Sequence, residues 1–176
     1  MEKPLILVTN DDGITAPGLR ALIKTMKTIG DVIVVAPDSP QSGMGHAITI
    51  DNTLYSKKVV IDQNEGAPEE YSCSGTPADC GKLALQEILD RRPDICVSGI
   101  NHGSNASINV IYSGTMSAAI EAGIEGVPAI GFSLCDYTWE ANFEPALESI
   151  KKIVEQALEH GMPNGTVLNV NIPKSD

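Results

Sequence analysis

The apolar run Leu5-Ile6-Leu7-Val8-Thr9 breaks directly into Asn10-Asp11-Asp12-Gly13, and a helical pattern opens at Pro17. A short apolar strand followed by an amphipathic helix is the first unit of an open α/β sheet, which binds ligands beyond the carboxyl ends of its strands. The turn therefore carries two adjacent carboxylates into the region where such a sheet holds its ligand. Side by side and partly stripped of water, Asp11 and Asp12 repel one another, and a hard cation offsets that cost well. A polar turn that caps the next helix is the competing reading of the same residues.

The rest of the chain repeats this alternation of short β-branched runs and helical stretches. Leu19, Leu22, Ile23, Met26 and Ile29 share a helical face, Gly30 closes the segment, and strand 2 covers 32–36. A polar loop from Pro37 to His46 leaves the same sheet edge as the Asp pair. The stretch 47–61 reads as a hairpin. Thr76-Pro77-Ala78-Asp79 is a helix start, with Thr76 as cap and Pro77 in the first turn, and its helix reaches to about Asp90. A strand over 95–100 delivers Asn101 to a Gly/Ser/Asn-rich loop. A helix of small residues opens at Ser113-Gly114-Thr115 and runs to about Glu125, followed by a strand over 128–134, a long helix over 143–160 and a last strand over 167–172. The expected fold is a Rossmann-like three-layer α/β/α domain with a mostly parallel central sheet and a β-hairpin excursion, one domain over residues 1–176.

The formal net charge of −11 excludes a nucleic-acid polymer or an anionic membrane as partner, since both require a basic face. No apolar run approaches the length of a membrane span, and no signal-peptide pattern precedes the first strand, so a cytoplasmic location is expected. Cys73, Cys80, Cys96 and Cys135 are widely spaced with no C-x-x-C pair, which points to reduced thiols rather than a zinc site or disulfide framework.

If the sheet forms, the carboxylates of Asp11 and Asp12, the Ser42 hydroxyl and the Asn101 amide converge from separate strand ends. All are oxygen donors, and such a set suits Mg²⁺, Mn²⁺ or Ca²⁺. Ser113, Gly114 and Thr115 stand at a helix start, where free N–H groups and the dipole favour a phosphoryl group; a simple N-cap with close helix packing is the alternative. His46 and His102 lie on bordering loops, as proton donors or as rim residues. Tyr112 and Trp139 are candidates for base stacking, with core or rim packing the plainer role for each.

Leu7-Val8-Thr9-Asn10-Asp11-Asp12-Gly13, Val35-Ala36-Pro37-Asp38 with Ser42 and Gly45-His46, Ser74-Gly75-Thr76-Pro77-Ala78-Asp79-Cys80, Val97-Ser98-Gly99-Ile100-Asn101 and Tyr112-Ser113-Gly114-Thr115, taken together and in order, resemble the survival protein SurE family. The resemblance implies a divalent-metal-dependent 5'-nucleotidase, a phosphomonoesterase that converts nucleoside 5'-monophosphates to nucleoside and phosphate by metal-activated water and also takes 3'-monophosphates and short polyphosphate. It implies Asp11, Asp12, Ser42 and Asn101 as ligands of one Mg or Mn ion per subunit, Asp11 and Asp12 as catalytic, and Asn10, Asn105, Ser113, Gly114 and Thr115 as substrate and phosphate contacts. Gly103-Ser104-Asn105 departs from the family's frequent Gly-Pro-Asn. Family members continue beyond Asn169-Val170-Asn171-Ile172-Pro173 into an extension that exchanges between subunits and builds a homodimer or homotetramer, whereas this sequence stops at Asp176.

Two other readings stay in view. An aspartyl-phosphate phosphatase would use one Asp as nucleophile, although such enzymes usually separate their two acids by one residue. A non-catalytic nucleotide or metal binding module would keep the donor set without turnover. A dinucleotide-dependent oxidoreductase is disfavoured, because no G-x-G-x-x-G follows the first strand.

Overall fold

The computed structural model describes residues 3–64, 66–138 and 140–174. Strands β1 (Leu5–Thr9), β2 (Asp31–Pro37), β3 (Ser56–Val59), β4 (Glu69–Cys73), β5 (Ile95–His102), β6 (Ala129–Cys135) and β7 (Val167–Pro173) form a seven-stranded sheet in the order β3-β4-β2-β1-β5-β6-β7. Every neighbouring pair is parallel except β3 with β4. Helices α1 (Pro17–Met26) and α4 (Glu144–His160) supply Leu19, Leu22, Met26, Ile150 and Val154 to the core on one face of the sheet. Helices α2 (Pro77–Leu83) and α3 (Gly114–Ile124) supply Cys80, Ala119 and Ala122 to the core on the other. This is the expected three-layer α/β/α arrangement, and β1, buried along its whole length, is its central strand.

From β1 the chain winds outward to β2 and β4, then crosses back to place β5 on the opposite flank of β1. The crevice where the winding reverses lies between the carboxyl ends of β1 and β5, the usual ligand position in such sheets. Asp11 and Asp12 follow β1, and Asn101 is the penultimate residue of β5.

The hairpin expected over 47–61 is displaced. Its first half is irregular because Thr49 is bound to the start of α2, with its hydroxyl donating to Asp79 Oδ2 at 2.7 Å. The Thr76 hydroxyl likewise donates to the Ala47 carbonyl at 2.7 Å. The antiparallel pair is instead β3 with β4, in the register Ser56 to Cys73 and Val59 to Glu70. Thr76 caps α2, as the sequence predicts, and the Asp79 carboxylate accepts the Thr76 N–H in return, completing a reciprocal capping box. Beyond Leu83 the helix widens into a π turn over Ala84–Ile88 and ends short of Asp90. At α1 no side chain caps the N-terminus, so the polar turn at Asp11-Asp12 does not serve that helix as a cap.

No helix among the described residues is long and apolar enough to cross a membrane. All four cysteines are free thiols, and Cys73, Cys80 and Cys96 are buried.

Candidate metal and phosphate site

Asp11, Asp12, Ser42, Asn101, His102, Asn105 and Ser113 line one cleft of about 240 Å³ at the reversal between β1 and β5. Backbone bonds bring the contributing loops together. The Gln41 N–H donates to the Asp11 carbonyl at 2.7 Å, which sets Ser42 beside the Asp turn. The Gly45 N–H donates to the Tyr112 carbonyl at 3.1 Å and closes the far side of that loop. Asn101 reaches the cleft after a bulge in the pairing of β5 with β6, a device that re-aims a side chain at the end of a strand. Within the bulge Gly99 has φ +133°, and a Cβ there would stand 2.4 Å from the Phe132 carbonyl oxygen. Only glycine fits.

Asp11 is nearly buried, and burial together with the neighbouring Asp12 charge raises its pKa to about 6. The Thr115 hydroxyl donates to Asp11 Oδ1 at 2.5 Å and partly offsets that rise. Burial also raises the Asp12 pKa, against the His102 backbone N–H, which favours the charged form. The Asn101 Nδ2 donates to the Gly103 carbonyl at 2.7 Å, leaving Oδ1 as the amide's open acceptor. Among the described residues, no three His, Cys, Asp or Glu side chains group as metal ligands. The donor set is therefore two carboxylates, a hydroxyl and an amide oxygen. These residues fit a hard divalent cation, which would relieve the repulsion that raises the Asp11 pKa.

The other candidates divide. Asn105 and Ser113 line the cleft, but the Ser113 hydroxyl also caps α3 by accepting from the Met116 N–H at 3.0 Å. Gly114 and Thr115 stand behind Asp11: Thr115 is fully buried against it, and a Cβ on Gly114 would meet the Asp11 Cβ at 2.6 Å. Asn10 is buried too, its Nδ2 donating to the Gly13 carbonyl at 3.0 Å to shape the turn. His46 pairs with the buried Glu121 at 2.7 Å, away from the cleft wall. His102 is on that wall, tethered through Nε2 to the Thr138 carbonyl. Tyr112 is an exposed rim residue, and Trp139 lies outside the described residues. Sequence reasoning missed Ser104, Asn109 and Tyr137 as lining residues. Polar loop residues carry no periodicity to single them out, although the concentration of Gly, Ser and Asn after β5 marks the segment.

A family model described as "Survival protein SurE" matches residues 6–176. The chain belongs to the survival protein SurE family. Among SurE relatives it is 70% identical over 173 residues to a protein named 5'-nucleotidase SurE from Christiangramia forsetii, covering 98% of this chain and 66% of that protein. It is 69% identical over 173 residues to the protein of the same name from Flavobacterium johnsoniae, again covering 98% of this chain and 66% of the relative. The chain thus spans about two thirds of the length of the curated SurE relatives it matches. The crystal structure of SurE from Aquifex aeolicus superposes with a TM-score of 0.86 at 41% identity, over 98% of this chain and 67% of that one.

Proposed function

We propose that the cleft hydrolyses nucleoside 5'-monophosphates, with 3'-monophosphates and short polyphosphate as further substrates, in dependence on one Mg²⁺ or Mn²⁺ ion. The observation that carries this reading is the meeting of Asp11, Asp12, Ser42 and Asn101 in one cleft at the reversal of the sheet. The name 5'-nucleotidase SurE, borne by relatives of 70% and 69% identity, supports it. When bound, the cation supplies polarisation of a phosphoryl oxygen and an acidified water, so no activated side-chain nucleophile is required.

The chain's own residues then take separate parts. Asp11, committed to Thr115, is a fixed ligand. Asp12, half-buried beside the His102 N–H, is the carboxylate that accepts a proton from the attacking water. Ser113 and Asn105, which line the same cleft, offer hydrogen bonds to the phosphoryl oxygens. Asn10, Gly114 and Thr115 contribute by holding the Asp turn. A cytoplasmic location and assembly into a homodimer or homotetramer belong to the same reading, the first supported by the free thiols.

Phosphate release from a panel of nucleoside monophosphates, in chelator, Mg²⁺ or Mn²⁺, tests the proposal beside the Asp12→Ala variant. Metal-restored release that the variant loses is the expected result. Release insensitive to chelator, or full activity in the variant, overturns it. A trapped phospho-aspartate would favour the aspartyl-phosphate route, and nucleotide binding without release a binding module.

A further inference from the structure

The segment joining β5 to the turn at 107–111 is gripped from outside the cleft. The Asn105 N–H donates to Asn171 Oδ1 at 2.8 Å. Asn171 Nδ2 donates to Asn169 Oδ1 at 2.9 Å, and Asn169 Nδ2 donates to the Asn105 carbonyl at 3.0 Å. The three bonds close a ring that leaves Asn105 through its N–H and returns through its C=O.

Backbone groups have fixed polarity, so they orient both amides. Asn171 must present oxygen to an N–H, and Asn169 must present nitrogen to a carbonyl. The remaining bond follows from these two. Ser104 Oγ adds a second donor to Asn171 Oδ1 at 3.2 Å, and Asn105 Nδ2 donates to Ser133 Oγ at 2.9 Å. On the other flank, the Tyr137 hydroxyl accepts the Ser104 N–H at 3.1 Å.

The ring does little for the strand that carries it. β7 is already paired with β6 from Val167 through Pro173. Asn169 and Asn171 lie two apart on β7, so their side chains share one face of the sheet. Neither lines the cleft. What they fix is the Asn105 backbone on both sides of its Cα, two residues beyond Gly103, whose carbonyl accepts the Asn101 amide.

We infer that Asn171, acting through its ring with Asn169 and Asn105, is a positioning residue that holds the 103–105 loop and thereby sets Asn101 toward the cation and Asn105 toward the phosphate. The roles of Asn101 and Asn105 rest on the proposed function; the fixing of the loop rests on the ring itself.

The test uses the 176-residue chain with Asn171→Ala and Asn171→Asp, the latter keeping an acceptor for Ser104 and Asn105. Amide hydrogen exchange on metal-free protein is read first, followed by Mn²⁺ titration calorimetry and steady-state kinetics. Asn171→Ala is expected to speed exchange at Asn105 about tenfold or more while β7 stays protected, because the Asn105 N–H loses its side-chain acceptor and the loop can then open locally. Its Mn²⁺ dissociation constant rises about tenfold, the low end of the cost of losing a direct partner of a ligand, because Asn171 acts on Asn101 through the loop. KM for a nucleoside monophosphate rises more than kcat falls, and Asn171→Asp recovers most of both losses. Unchanged exchange in Asn171→Ala, or equal Mn²⁺ affinity in the two variants, overturns the inference. A wild-type chain that binds no Mn²⁺ removes the functional reading of the cleft, whereas the exchange comparison still decides whether Asn171 holds the loop.

Discussion

Thr115 donates its hydroxyl to Asp11 Oδ1 at 2.5 Å, joining the first turn of α3 to the end of β1. The anion at this helix start is thus the protein's own carboxylate, which the helix dipole and the hydroxyl both stabilise. Replacing Thr115 by Val keeps the shape and removes the donor. The Asp11 pKa should then climb further, so the pH at which Mn²⁺ binding is half-lost on acidification moves upward. Calorimetric titrations across pH 5 to 8 would read this, and superimposable profiles for variant and wild type would rule it out.

Asp11 binds its proton more tightly in the folded chain, at about 6, than at the ordinary 3.8. Its contribution to metal-free stability is therefore full below the ordinary value and is lost as pH rises through about 6. The span corresponds to about 3 kcal/mol. Metal-free wild type should lose Tm between pH 4.5 and 7.5 relative to Asp11→Asn, and saturating divalent cation should restore wild-type stability at the upper end. Parallel pH profiles for the two metal-free proteins would contradict the assignment.

Gly114 packs so closely on Asp11 that an added Cβ would stand 2.6 Å from the Asp11 Cβ and 2.9 Å from its Oδ2. Gly114→Ala should cost about 1–3 kcal/mol through overpacking, despite the better helix propensity of Ala. Urea denaturation measures the loss, and a weakened cation affinity should accompany it. A variant as stable as wild type would show that the Asp turn can yield.

Arg20 grips the buried Glu70 with its two terminal guanidinium nitrogens, at 2.5 and 2.8 Å. Removing one partner strands a buried charge, so Arg20→Ala should cost about 3–5 kcal/mol. Arg20→Ala combined with Glu70→Leu should recover much of it. Denaturant titration of the three proteins decides, and a double variant no better than the single would mean that packing of the Arg20 stem matters more than the charge.

The same ion pair explains why part of the fold was hidden in the sequence. β4 begins Glu69-Glu70, a polar opening that reads as loop, and what buries Glu70 is a helix residue fifty positions earlier. Only tertiary pairing reveals it. The parallel strands were legible because double-sided burial leaves nearly continuous apolar runs at 5–9 and 32–36. The convergence of Asp11, Asp12, Ser42 and Asn101 followed from those strands, since a parallel sheet brings all its carboxyl ends to one edge. Which helix-start residues face the cleft was not legible. Ser113 and Thr115 are two apart and chemically alike, yet one lines the cleft and the other turns back to Asp11.

The ring of Asn105, Asn169 and Asn171 contains only amide donors and acceptors. None of its members gains or loses a proton across the physiological range. The scaffold of the Asn101 side of the cleft is accordingly deaf to acidity, while the Asp11 side answers to it. A pH change should act on this site through the charge of Asp11, while the amide ring that holds the 103–105 loop keeps the same bonds.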